Sequence, residues 1–194
     1  MNPAWRAYRI LADPSGEWTE IESEAGDTAY LLSGYVAPLA LVPAASGFVG
    51  ACIIGVAVPG TGTLRAPIFD GLFGAVFGYV MSCATVLILG LLIDLAAPLF
   101  GGRRNFDSAF KLAVYSYTPV WLIGIFLLAP GLHYLGLLGL YGAYLLWIGL
   151  PRLMQTPEQK SQTFMPIILA CACVLFFIAA AAQRALFGPA GFWL

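Results

Sequence analysis

A small set of residues in this chain has the types and spacing to do chemistry. Asp94 stands in Leu91-Leu92-Ile93-Asp94-Leu95-Ala96-Ala97-Pro98, at the end of a stretch that carries no formal charge after Asp70. A carboxylate there costs several kcal/mol to bury unpaired, so it binds an ion or proton, pairs with a cation, or reaches water. Lys111, at the start of the next apolar stretch, lies level with it and is the expected partner. Arg103 and Arg104, in the loop between, are the alternatives. Such a pair would clamp that loop. The second constellation is Tyr115-Ser116-Tyr117-Thr118-Pro119. Proline at 119 has no N–H and its ring clashes with the Tyr115 carbonyl, so a helix there bends and frees that carbonyl. In lipid the freed group must find hydroxyls, water or a neighbouring helix. Tyr115, Ser116, Tyr117 and Thr118 supply hydroxyls beside the break. A polar kink of this kind lines a cavity, works as a hinge, or is simply packed.

Other chemistry is poorly supplied. His133 is the single histidine, so no His-containing metal cluster and no Ser-His-Asp triad can be assembled. Beside the Pro130-Gly131 turn it reads most simply as an interfacial residue. No GxSxG, HExxH or Walker loop occurs. Gly60-Thr61-Gly62-Thr63 is glycine-rich but follows a membrane helix, so it reads as an outer loop. Cys52, Cys83, Cys171 and Cys173 all fall in apolar stretches, where a free cysteine packs as a small apolar residue. Cys171 and Cys173, two apart on a helix, point in different directions. No disulfide, catalytic residue, metal or cofactor is expected, and the chain is not expected to be an enzyme.

The elements that position these residues follow from composition. Of 194 residues, 60% are hydrophobic and 10% charged, against about 25% charged in soluble domains. Mean hydropathy is +0.86. There is too little charge to cover a soluble globule, so membrane lipid is most of the solvent. With a net charge of -1, no basic surface argues for nucleic acid. A bilayer core of about 30 Å needs roughly 20 apolar residues in a helix. Charge-free stretches between Asp27 and Arg65, Asp70 and Asp94, and Lys160 and Arg184 meet that length. Residues 112–151 would make one helix about 60 Å long, twice the core thickness, so Pro130-Gly131 is read as splitting them.

The expected fold is an all-α integral membrane bundle of five transmembrane helices, near 33–58, 69–96, 109–129, 132–150 and 164–187. Four spans with a re-entrant hairpin are the alternative. Residues 31–194 form that domain and 1–30 an amphipathic segment before it. With five spans, Arg6, Arg9, Arg103, Arg104, Lys111, Arg152 and Lys160 share one side, and Arg65 and Arg184 the other. The positive-inside rule then places the N-terminus in the cytoplasm and the C-terminus opposite.

The first 30 residues lack a signal-peptide pattern. Trp5, Tyr8 and Leu11 recur at helical spacing, with Arg6 and Arg9 between them. Asp13-Pro14 offers an N-cap and a first-turn proline. Trp18 and Ile21 form one face of the helix that follows, and Glu17, Glu20, Glu22, Glu24 and Asp27 cover the rest. The segment reads as an interfacial anchor or as a surface platform for a partner. Small residues recur four apart: Gly47, Ala51 and Gly55 on the first helix, Gly74 and Gly78 on the second, Gly139 and Ala143 on the fourth. Such stripes let backbones approach where lipid gives no hydrophobic drive between helices. Packing within the chain accounts for most of them, and a homo-oligomer or another membrane protein is the alternative user. Tyr144 and Trp147 suit an interfacial aromatic belt, with Arg152 at its edge.

The order of Asp13-Pro14 with Trp18 and Ile21, Leu95-Ala96 to Phe100-Gly101-Gly102, and Ala113 to Tyr115-Ser116 with Thr118-Pro119 resembles the Yip family, the Rab/Ypt-interacting membrane proteins. The Pro130 turn, Tyr141, Tyr144-Leu145, Gly149-Leu150-Pro151, Met154, and Pro157 with Lys160 extend the likeness over most of the chain, most specifically over residues 94–160. The resemblance implies five spans with a cytoplasmic N-terminus. Eukaryotic members of that family act in vesicle traffic, bind prenylated Rab GTPases and associate with one another, and usually carry a long polar segment before the membrane domain. With about 30 residues before the first span, this chain is more similar to the short bacterial members, which implies an inner-membrane location. Two functions are carried forward. One is a non-enzymatic scaffold that organises protein partners or lipids. The other is a channel or transporter for an ion or small solute, using Asp94, the Pro119 break and His133.

Overall fold

The computed structural model describes residues 2–58 and 62–187. Two short helices come first, α1 (Pro3–Ala12) and α2 (Pro14–Ser23). Each starts for a local reason. The Asn2 side chain accepts from the Ala4 N–H at 3.0 Å and Asp13 from the Gly16 N–H at 3.1 Å, and each cap is followed by a proline. A proline at that position loses no helical hydrogen bond.

Among the described residues, five helical segments are long and apolar enough to cross a bilayer: Thr28–Ile54, Ile68–Phe100, Phe106–Leu128, Leu135–Leu153 and Glu158–Leu186. The first begins with α3 (Thr28–Leu31), capped by Asp27, and contains α4 (Ala37–Phe48). Widened π-turns at Leu32–Val36 and Val49–Ile54 flank α4. Pro38 and Pro43 each remove a helical donor from this segment, and a π-turn is one way a helix accommodates such irregularity. The span ends at Ile54, short of the expected 58. Gly55 turns the chain out at φ +79°, and Val56–Val58 (β1) pairs antiparallel with Gly62–Leu64 (β2). Gly55 therefore terminates the helix and is not part of a stripe with Gly47 and Ala51. Pro59, Gly60 and Thr61, in the predicted outer loop, lie outside the described residues.

The second span is α5 (Ile68–Ala96), followed by a 3-10 turn, Ala97–Phe100, that Gly101 closes at φ +74°. Helix α6 (Phe106–Ile123) runs through Pro119 and loosens into a 3-10 turn at Gly124–Leu128. A second 3-10 segment, Pro130–Leu140, leads into α7 (Tyr141–Leu153), and α8 (Glu158–Phe187) closes the described chain. The expected fourth helix is thus α-helical only from Tyr141 onward. Gly131, Gly136 and Gly139 weaken helix formation before it. The tighter winding rises roughly 2.0 Å per residue, which lets eleven residues cover more depth than an α-helix would. Gly139 sits in that segment, so Gly139 and Ala143 do not share an α-helical face.

Helix α6 is the axis of the bundle, flanked by α5, α7 and α4 and touched by α1 and α3. It is buried nearly all round from Ala109 to Trp121, as expected of a helix that contacts protein on every side. Close approach depends on glycine. A Cβ on Gly142 would lie 2.5 Å from the Ser116 carbonyl oxygen, and one on Gly90 would lie 3.1 Å from the Phe110 Cα. Helix α8 lies against α5 at the edge, most of its apolar window outside protein contact.

Candidate functional site

Three places bring polar groups together. The first is where α1 and α2 dock against α6 and α7. Arg6 and Glu17, both 1% exposed, form an ion pair, and Arg6 also pairs with Glu24. Arg9 Nε lies 2.8 Å from Glu17 Oε2, and Arg9 Nη2 lies 2.7 Å from Glu20. The Arg6 guanidinium sits 5.9 Å from the centre of the Tyr115 ring. Burial alone would depress the Arg6 pKa, but the Glu17 hydrogen bond, Tyr115 and Glu24 raise it above the ordinary guanidinium value. Trp18 is fully buried, edge-on to Tyr115, which meets Tyr35 at 4.9 Å between ring centres. Tyr35 and Thr118 share a hydroxyl hydrogen bond of 2.9 Å. Arg152 donates to the Ser15 carbonyl (2.7 Å) and the Thr19 hydroxyl (3.0 Å), and Tyr141 donates to the Leu11 carbonyl (3.1 Å).

In this arrangement α1 and α2 dock on α6 and α7 through part of their surface. Ile10, Trp18 and Ile21 are fully buried, and so is Arg6, while Arg9 stays part-exposed. Of the apolar stripe Trp5, Tyr8 and Leu11, Trp5 and Tyr8 stack on each other and face outward, while Leu11 packs against the core. A lipid interface accepts an exposed aromatic stripe, while the Arg6 charge is satisfied inside by acids on α2. One sequence signal could have found this. Glu17, Glu20 and Glu24 share one face of α2, and Arg6 and Arg9 are three apart on α1, so the two faces are complementary.

The second place is the loop after α5. Asp94 does not pair with Lys111. Its Oδ2 accepts from Arg104 Nε at 3.1 Å, while its Oδ1 is buried without a partner. Lys111 instead points at the end of α2, donating to the carbonyls of Ile21 (3.0 Å) and Glu24 (2.6 Å). The physical reason is geometric need. The last carbonyls of α2 have no helical donors, and a cation is favoured at that end of the dipole. A double-mutant cycle on Asp94→Asn and Arg104→Ala should therefore return a coupling of about 0.2–1 kcal/mol, small because Arg104 is largely exposed. The same cycle on Asp94→Asn and Lys111→Met should be additive within roughly 0.5 kcal/mol.

The third place is an intramembrane cavity of about 910 Å³ bounded by α4 to α8 and the 3-10 segments. Its wall includes Gly47, Ala51, Gly74, Gly78, Gly139 and Ala143, and some of these also meet side chains closely: a Cβ on Gly139 would lie 2.9 Å from Ile123 Cδ1. Gly50 likewise meets the Leu127 carbonyl and Gly71 meets the Cys52 sulfur; neither was singled out by four-residue spacing. Ser116 lines the cavity with its hydroxyl buried and unpartnered. Trp121 Nε1 donates to the Ser82 hydroxyl at 2.7 Å across the same wall. Gln183, 8% exposed, donates from Nε2 to the Gly74 carbonyl at 3.5 Å, while its Oε1 has no partner. The sequence hides Gln183 because it stands next to Arg184, where a span is expected to end. Of the candidate polar residues, Lys111 and Tyr115 join the docked N-terminal helices, Ser116 faces the cavity, and Thr118 bonds Tyr35. Pro119 is buried inside α6 between these last two environments. Asp94 stands apart, and the His133 side chain lies outside the described residues.

Five apolar spans, three of them packed on the buried α6, with two charged helices docked on their ends, define a polytopic α-helical membrane protein. The family model of the Yip1 domain matches residues 8–181, and the chain belongs to the Yip1 domain family. It is similar to the "Inner membrane protein YohC" of Escherichia coli K12 and of E. coli O6:H1. Each is 27% identical over 186 residues, a match covering 93% of this chain and 95% of the relative. No solved structure matches.

Proposed function

We propose that this Yip1-family protein is a non-enzymatic scaffold of the inner membrane, with its N-terminus in the cytoplasm, that organises lipids or membrane partners around its intramembrane cavity. One observation carries the reading. The cavity wall is built overwhelmingly from glycine, alanine and larger apolar residues, and Asp70 is the one charged side chain lining it among the described residues. Hydrocarbon suits such a wall, whereas coupled transport uses chains of ionisable groups at membrane depth. The inner-membrane location of the E. coli relative supports the proposed location, and the excess of Lys and Arg on the N-terminal side supports the orientation. Asp94 and Lys111 support it too, since both hold structure in place through Arg104 and α2.

A channel or transporter is the second reading, favoured by the cavity volume and by the 3-10 segments between Gly124 and Leu140. Proteoliposome flux with wild type, Asp94→Asn and Pro119→Ala separates the two. The scaffold reading expects no ion or proton flux above empty liposomes and the same null result for both variants. Saturable flux that Asp94→Asn abolishes would replace it with the transporter.

A further inference from the structure

We infer that two stacked loops on the N-terminal side of the membrane, residues 97–105 and 154–160, bind the headgroup of an anionic phospholipid. The site lies outside the cavity wall, so it goes beyond the proposed role of the cavity and would serve a scaffold or a transporter equally. The loops close on each other through backbone and glycine. The Arg103 N–H donates to the Met154 carbonyl at 2.9 Å. A Cβ on Gly102 would lie 2.6 Å from Thr156 Cγ2, and one on Gly101 would lie 3.4 Å from Lys160 Nζ. The Lys160 ammonium therefore stands beside a residue only two positions from Arg103. Both cations are exposed, and neither makes an ion pair among the described residues. Arg103 reaches only the neutral Gln155 side chain, at 3.5 Å. Arg104, next to it, is largely exposed and pairs with Asp94 through Nε. Glu158 is the one acid within the two loops, and it pairs with neither free cation.

Cations gathered in this way repel one another, and an anion between them removes that cost. The N-terminus of α8 adds to the same field. It begins after Pro157, whose carbonyl accepts from the Lys160 N–H at 3.0 Å, so the positive end of a 30-residue helix points into the loops. Phosphate suits the set, because arginine grips it as a planar fork and lysine as a point charge. The apolar neighbours select a phosphate that carries hydrocarbon. Leu99, in the turn just before Gly101, is 79% exposed, and Leu91 and Leu95, four apart on α5, are exposed as well. Beside a membrane span such side chains are covered by acyl chains. A lipid lying along α5 thus brings its head to Arg103 and Lys160, as basic segments next to a span attract anionic lipid.

The test is native mass spectrometry of the full-length protein in detergent, titrated with phosphatidylglycerol or with phosphatidylethanolamine of the same acyl chains. Detergent leaves both ends of the bundle open, so the outcome does not depend on the proposed orientation. Phosphatidylglycerol should be retained in preference to phosphatidylethanolamine, and millimolar inorganic phosphate should not displace it. Arg103→Gln and Lys160→Gln, both at exposed positions, should keep the wild-type melting temperature. Each should weaken phosphatidylglycerol binding about fivefold, the size of one basic residue at a charged membrane surface, and leave phosphatidylethanolamine unchanged. The double variant should lose the preference altogether. Arg65→Gln, an exposed cation on the opposite side, should change nothing. Equal retention of the two lipids by wild type, or an equal loss in Arg65→Gln, would overturn the site. Displacement of phosphatidylglycerol by inorganic phosphate would overturn the lipid as its occupant and leave a free-phosphate site.

Discussion

Arg6→Ala is expected to destabilise the protein by about 3–5 kcal/mol, the usual cost of removing one member of a buried ion pair. Glu17, 1% exposed, would keep only the part-exposed Arg9 as a cation, and Glu24 would lose its ion pair with Arg6 as well. The loss should be concentrated at the docked helices. Limited proteolysis should cut between α2 and α3 in the variant under conditions that spare wild type, while the five spans stay protected. The double variant Arg6→Met, Glu17→Leu should regain most of the stability, because a packed apolar pair avoids the desolvation that the ions suffer. Equal proteolysis of wild type and Arg6→Ala would show that the Arg6 cluster does not hold the docked helices.

Trp18→Ala should be nearly as costly, about 3–5 kcal/mol for truncating a fully buried aromatic. Its indole is shared by three elements. It projects from α2, meets Tyr115 of α6 edge-on, and lies 2.8 Å from where a Gly149 Cβ would stand on α7. Trp18→Ala thus opens a hole, whereas Gly149→Val pushes the indole out from the opposite side. Both should release α1 and α2, seen as increased hydrogen exchange over residues 3–23 with little change in α8. Trp18→Phe should recover much of the loss, since it keeps most of the apolar volume. Full protection of α1 and α2 in Gly149→Val would contradict this packing.

The readability of this fold varied residue by residue. Asp13-Pro14 announced the start of α2, because an N-cap and a first-turn proline act within one turn. Trp18 and Ile21 were placed on one face, and they are the two α2 residues most deeply inserted. For α1 the same reasoning selected the outward stripe, Trp5 and Tyr8, because periodicity reports which face is apolar and not which face is covered. The Asp94 partnership failed for a related reason. Level along the membrane narrows the candidates to Lys111, Arg103 and Arg104, but the choice among them depends on where the end of α2 arrives. Gly55 and Gly139 looked like packing residues from spacing alone, yet one ends a helix and the other lies in a 3-10 segment. Local winding had to be known before spacing could be converted into a face.

From its sequence alone the chain is committed to lipid and to five spans, because transfer of apolar residues into a bilayer needs no knowledge of neighbours, while the likeness to the Yip family rests on the order of its motifs. Cap residues and the Pro130 break are local in the same sense. The tertiary structure decided everything that required two distant segments to meet: Arg6 with Glu17, Lys111 with the end of α2, Tyr35 with Thr118, and Gln183 with Gly74. It also decided that the small-residue stripes would frame a cavity. Those outcomes turn on ångström-scale differences in helix approach, since hydrogen bonds and ion pairs fail within about 1 Å of their optimum, and no pattern in one dimension specifies distance to that tolerance.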